Sequence, residues 1–140
     1  MEHIPIEQCV NHPSFKSNTL DYDFMVCRLA WATEMYADQV VDLDLPSDNL
    51  DLDDGGSYDL TVMGFGTLRS GGSTPSNLQE VQVPYVPNDS CGSYPSNEIY
   101  PSMLCAGYLS GGYDACQGDS GGPIGLEVNG AWRQVGVVSW

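Results

Sequence analysis

The sequence predicts an all-β domain, an antiparallel barrel or sandwich. Three observations point there. The apolar runs are short and bounded by proline, glycine (16) and proline (9) are frequent among 140 residues, and Asn129-Gly130 stands as a two-residue turn signal between alternating segments. In chain order, "NHPSFKSNT" (11–19) reads as a loop, because Asn, Pro and Ser favour turns. The continuous apolar run "FMVCRL" (24–29) suits a buried strand, with Asp21 and Asp23 at its entrance. "YDLTVMGFG" (58–66) and "LQEVQVPYV" (78–86) are further strands, the second placing Val81, Val83 and Tyr85 on one face. Pro84 and Pro87 put that strand at an edge or end it. "NDSCGSYP" (88–95) suits one or two helical turns capped by Asn88 or Ser90. "IGLEVNGAWRQVGVVSW" (124–140) is a hairpin around Asn129-Gly130.

Composition narrows the function classes. Four Lys and Arg against 19 Asp and Glu give a formal net charge of −15. Such a surface repels nucleic acid and anionic membranes, favours cationic ligands, and leaves neither of the first two as a partner. Eight aspartates lie between Asp38 and Asp59, which reads as a solvated connector. Asp51 and Asp53 have the first spacing of a calcium loop, but Gly55 and Val62 stand where further ligands belong, so that reading fails. The five cysteines, Cys9, Cys27, Cys91, Cys105 and Cys116, form no CxxC pair, and two histidines near the start make a zinc site improbable. No metal or cofactor is expected. Disulfides are the better use, and they imply an oxidising compartment. The start, "MEHIPIEQCV", has no basic region followed by an apolar core, so we expect the true N-terminus to lie upstream. No apolar run approaches a bilayer span.

The stretch "DACQGDSGGP" (114–123) carries chemistry. A serine hydroxyl is a weak nucleophile unless a base takes its proton and nearby donors stabilise the oxyanion. Backbone amides can be those donors where glycines let successive N–H groups converge, and Gly118, Asp119 and Ser120 are placed to form such a nest. Gly121 and Gly122 permit close approach of a substrate. Residues 118–122 also fit the G-x-S-x-G elbow of α/β-hydrolases, but a hairpin follows where that fold needs a helix, and no histidine follows Ser120. A glycine-rich turn without chemistry is the plainest alternative.

Taken together, "YDACQGDSGGP", "HPSFKSNTLDYDFMVCRL", "YPSNEIYPSMLCAGYLSGGYDACQGDSGGP" and "VGVVSW" resemble the trypsin-like serine proteases in order and spacing over most of the chain. The resemblance implies a two-barrel antiparallel Greek-key fold. About 1–36 would end the first barrel, 37–59 would be an acidic connector, and 60–140 would form most of the second barrel. It implies Ser120 as the acylated nucleophile, the N–H groups of Gly118 and Ser120 as the oxyanion hole, and Asp23 as the carboxylate that orients the catalytic histidine. Asp21 falls where the family varies, and either aspartate could instead cap a strand entrance. Asp119 matches the residue that pairs with a new N-terminal ammonium after zymogen cleavage. Asp114 matches the floor of the primary pocket, so cleavage after Arg or Lys is implied. Gln117, Ser139 and Trp140 match substrate-binding positions. Trp140 could equally be core packing, and Asp114 an exposed loop residue.

The resemblance further pairs Cys91 with Cys105 and gives Cys116 a partner beyond Trp140. Leu60 and Leu126 stand where the family often has a bridged pair, so an apolar contact would replace that bridge. Cys9 and Cys27 have no assigned counterpart. Asn88-Asp89-Ser90 is a glycosylation sequon, which a helix cap explains equally well. Polypeptides with Arg or Lys at the cleavage site and protein protease inhibitors are the implied partners, and secretion the implied localisation.

The general base is the departure. The family's histidine sits in an Ala-Ala-His-Cys context; His12 is in "NHPSF" and His3 in "MEHIP", and both read as loop residues. The chain is therefore expected to be an internal piece of a protease, inactive by itself and poorly soluble because core faces are left uncovered. The alternative is a protease-like binding protein whose parent lacks the histidine.

Overall fold

The computed structural model describes residues 2–34, 50–92, 98–108, 110–112 and 114–140. The chain divides into two compact units, Met1–Asp48 and Asn49–Trp140. Every strand pairing is antiparallel, and the described residues contain no helix. Of the connector expected over 37–59, positions 37–49 lie outside the described residues.

In the first unit β1 (Ile6–Asn11) and β2 (Met25–Leu29) form a two-stranded ribbon. Cys9 stands directly opposite Cys27 in the register, and the two are joined by a disulfide. The "FMVCRL" run is a strand, but it is not buried. Val26 is 72% exposed, and Phe24, Met25 and Leu29 are exposed as well. A two-stranded ribbon offers no second layer to cover its faces, so apolar content alone cannot bury it. Closing an 18-residue separation by a disulfide is worth about 3 kcal/mol in the chain-entropy model, which is support a ribbon without a core needs.

The second unit holds a five-stranded sheet in the order β5-β4-β3-β6-β7, from β3 (Asp59–Gly64), β4 (Gln79–Val86), β5 (Cys105–Ala106), β6 (Pro123–Val128) and β7 (Ala131–Val137). The core is Leu60, Val62, Val83, Ile124 and Leu126, on the three central strands. Leu60 and Leu126 both belong to this cluster, one position beyond the Thr61↔Gly125 pairing, so an apolar contact occupies that place. The β6–β7 hairpin turns through Asn129 (φ 54°) and Gly130 (φ 80°), the two left-handed residues that a type I′ turn requires. Gly125 sits at a bulge against the Trp132 ring, which a Cβ would approach to 3.2 Å.

Two expectations are corrected here. Pro84 neither ends β4 nor lies at a sheet edge, whereas β4 does end at Val86, directly before Pro87. The Tyr85 N–H donates to the Tyr58 carbonyl, so the Pro84 nitrogen points to the other side, where Pro84 takes part as an acceptor, its carbonyl receiving the Gly107 N–H just after β5. The segment after Pro87 is a turn and not a capped helix. Ser90 and Cys91 both donate to the Pro87 carbonyl, and Gly92 then takes a left-handed φ of 74° that stops propagation. The Asn88 side chain donates to the Met103 carbonyl, and it caps no turn among the described residues. Residues 93–95 of that stretch lie outside the described ones. Cys91 and Cys105 are joined by a disulfide.

The aspartates of 51–54 fold back on their own turn. Asp51 accepts the Asp53 N–H, Asp54 accepts the Gly56 N–H and the Tyr58 hydroxyl, and Asp53 accepts the Tyr85 hydroxyl at 2.8 Å. Burial, followed by that bond to Asp53, pushes the Tyr85 hydroxyl up to about 12.

Candidate active site

Residues 114–122 form an irregular segment leading into β6, and its backbone is tied down on several sides. The Asp119 N–H donates to the Cys116 carbonyl at 3.0 Å, and the Gly122 N–H to the Asp119 carbonyl at 2.8 Å. Gly121 donates to Val138, and Val138 donates back to Gly122, so Val138 lies alongside the turn. Gly118 (φ 101°) and Gly121 (φ 82°) take left-handed conformations on either side of the serine, which side-chain-bearing residues adopt only with strain. Ser120 itself is exposed.

The carboxylate of Asp119 turns inward and is half-buried. Its Oδ1 accepts the Gly66 N–H at 2.8 Å, and its Oδ2 accepts the Cys116 N–H at 2.9 Å. Both are charge-assisted bonds, stronger than those between neutral groups. Gly64 and Gly66 make the insertion possible, because a Cβ at either position would collide with the carboxylate. The loop leaving β3 is thus shaped around Asp119.

Thr67 adds a second grip. Its N–H donates to the Gln117 carbonyl at 2.9 Å, and its hydroxyl donates to the Cys116 sulfur at 3.0 Å. The Cys116 thiol, unpaired with any described cysteine, lies 3.2 Å from Gln117 Oε1. The peptide joining Gln117 to Gly118 is planar with its C=O and N–H opposed, so holding the carbonyl toward Thr67 aims the Gly118 N–H the opposite way. Among the described residues the N–H groups of Gly118 and Ser120 have no hydrogen-bond partner, whereas that of Asp119 is committed to Cys116. Of the three amides at 118, 119 and 120, those of 118 and 120 are thus left uncommitted among the described residues. Two uncommitted N–H groups beside an exposed hydroxyl can receive a developing oxyanion.

The remaining candidates are placed as follows. Asp114 is exposed, with Oδ1 accepting the Ala115 N–H at 2.8 Å. Gln117 and Trp140 are exposed and Ser139 is half-buried. In the first unit Asp23 is half-buried just before β2, while Asp21 is buried and bonded to Lys16 Nζ at 2.9 Å. His12 lies outside the strands; its ring stacks on Tyr22 (centroids 4.4 Å apart) and its Nδ1 accepts the Ser14 N–H. His3 also lies outside the strands.

Gly64, Gly66 and Thr67 were not singled out from the sequence. The signal was the Gly64-Phe65-Gly66-Thr67 run itself, two glycines spaced by one at the end of a strand, where β3 stops at Gly64 and not at Gly66.

Comparison with known proteins bears on the family of the chain. The family model described as Trypsin matches residues 1–140. Trypsin-1 of Astacus astacus is 36% identical over 138 residues, which cover 98% of this chain and 56% of the relative. Transmembrane protease serine 11E of Mus musculus is 38% identical, covering 96% of this chain and 32% of the relative. Serine proteinase stubble of Drosophila melanogaster is 41% identical, covering 94% of this chain and 17% of the relative. This chain thus spans about half the length of its Astacus relative, or less of the others. With the match running from the first residue to the last, the chain belongs to the trypsin family of serine proteases.

Proposed function

We propose that this chain carries the nucleophile and oxyanion-binding part of a serine-type endopeptidase that cleaves after Arg or Lys. One observation supports it above the others: the scaffold consumes both the N–H and the carboxylate of Asp119, leaving the Gly118 and Ser120 amides beside an exposed Ser120. In this reading Ser120 Oγ adds to the scissile carbonyl carbon as its proton passes to a base, and the two amides hold the oxyanion until the amine leaves. Asp23 orients that base and stabilises its cation. His12 is engaged with Ser14 and Tyr22 and does not match the family's histidine. The base then comes from sequence outside these 140 residues, and the chain alone is inactive. Residues 1–36 would close one barrel, 37–59 connect, and 60–140 form most of a second.

Asp114 would receive the cationic side chain, with Gln117, Ser139 and Trp140 lining the site and 138–140 offering main chain to an extended substrate. Asp119 would change partners on activation, accepting an N-terminal ammonium released by cleavage. Polypeptides with Arg or Lys at the cleavage site, and protein inhibitors that mimic them, are the partners of this site. The disulfides fit a secreted protein.

The test uses the activated longer protein that contains this chain. A fluorophosphonate should label Ser120 and spare Ser120→Ala. Absence of label on the histidine-bearing protein would overturn the nucleophile. Asp114→Ser should cost about 2–5 kcal/mol of transition-state binding for Arg substrates. A native preference for aromatic over arginine substrates would overturn the specificity and leave the nucleophile standing.

A further inference from the structure

The sequon Asn88-Asp89-Ser90 takes no part in the site described above, and the fold has put its amide to another use. Asn88 Nδ2, the atom that N-glycosylation modifies, donates to the Met103 carbonyl at 2.9 Å. Asn88 Oδ1 is buried and has no hydrogen-bond partner among the described residues. Three residues on, Cys91 is bonded to Cys105, and the Met103 N–H is itself held by the Tyr100 carbonyl. The carboxamide thus spans the mouth of the loop that this disulfide closes, reaching from the turn after β4 to the residues just before β5.

Glycosylation would form a bond between Nδ2 and C1 of the first sugar of a polyisoprenyl-pyrophosphate oligosaccharide. The C1–O bond breaks, the pyrophosphate departs with its electron pair, and one amide proton is lost to a base. The product is a secondary amide. Like a peptide it prefers the arrangement in which the substituents on carbon and nitrogen are opposed, and the other form costs about 2.5 kcal/mol. The sugar must then lie on the same side as Oδ1. That is the atom the fold buries, so a ring seated beside it displaces whatever covers it.

We infer that a glycan on Asn88 and the closed Cys91–Cys105 loop exclude one another, so that the folded protein carries this sequon unmodified. Loop closure and glycan transfer compete for the same carboxamide while the chain is still unfolded. The inference rests on the Asn88 geometry and is independent of catalysis.

The test is to express the full chain behind a secretion signal in eukaryotic cells, with a second sequon appended at the C-terminus to report that the transferase reached it. Intact mass is read before and after peptide N-glycosidase, with free thiols alkylated under non-reducing conditions. Molecules with Cys91–Cys105 closed should carry the appended glycan alone. The Cys91→Ser/Cys105→Ser variant, which cannot lock the loop, should gain a second glycan at Asn88. A glycan at Asn88 on molecules whose Cys91 and Cys105 resist alkylation overturns the inference. So does an unmodified Asn88 in the double variant whose appended sequon is occupied, because the fold is then not what protects it.

Discussion

In β2, Val26 is 72% exposed, whereas in β3, Val62 is 6% exposed, although both stand within short apolar strands. The difference lies in what each strand has beside it. β3 is flanked by β4 and β6 in a five-stranded sheet and packs into a shared cluster, while among the described residues β2 pairs with β1 alone. Apolar residues decide that a segment becomes a strand, and the neighbouring layer decides whether burial then stabilises it. The two units accordingly rest on different forces. The sheet is held by its core, and the ribbon by a covalent bond across directly opposed residues.

The largest expected effect tests the core. Leu60, fully buried, should cost about 2–5 kcal/mol when changed to alanine, read as a lower urea midpoint for 49–140. Val26→Ala should stay within about 0.5 kcal/mol. Equal costs would break the comparison. Next is the ribbon: Cys9→Ala/Cys27→Ala should remove up to about 3 kcal/mol. The readout is faster amide exchange over 6–11 and 25–29 with the urea midpoint of 49–140 unchanged. Loss of protection in both units together would show that they are not independent.

The smallest effect concerns Tyr85, which joins the aspartate-rich turn to β4. Its hydroxyl is held up at about 12 in the fold, against an ordinary value near 10. A folded-state value above the unfolded one means that the contribution is complete below about pH 10 and is lost as the pH rises toward 12. Stability of 49–140 should therefore fall over that window, and Tyr85→Phe should flatten the fall. An unchanged slope in the variant would assign the alkaline loss to another group.

What the sequence revealed divides along the same line. The β6–β7 hairpin was legible because Asn129-Gly130 is local turn chemistry, and the tight turn within 114–123 was legible in its glycines, of which Gly118 and Gly121 take left-handed φ. The strand at 25–29 was legible and its exposure was not, since burial depends on partners elsewhere. The Cys9–Cys27 bond was hidden because it follows from the register of β1 on β2, and β1 alternates too weakly to declare itself. The grip of Gly66 and Thr67 on Asp119 and Gln117 was hidden for a similar reason. It joins residues about 50 positions apart that only the folded sheet brings together.

That grip has an evolutionary consequence. The hold on the Gln117 carbonyl is made by the main chain of Thr67, so drift at this codon can erase the hydroxyl and still leave the amide direction at Gly118 unaltered. Proline is the one encoded replacement that severs it, having no N–H to give. The orientation of the Gly118 amide is thereby insulated from most of the substitutions that a neighbouring loop will sample.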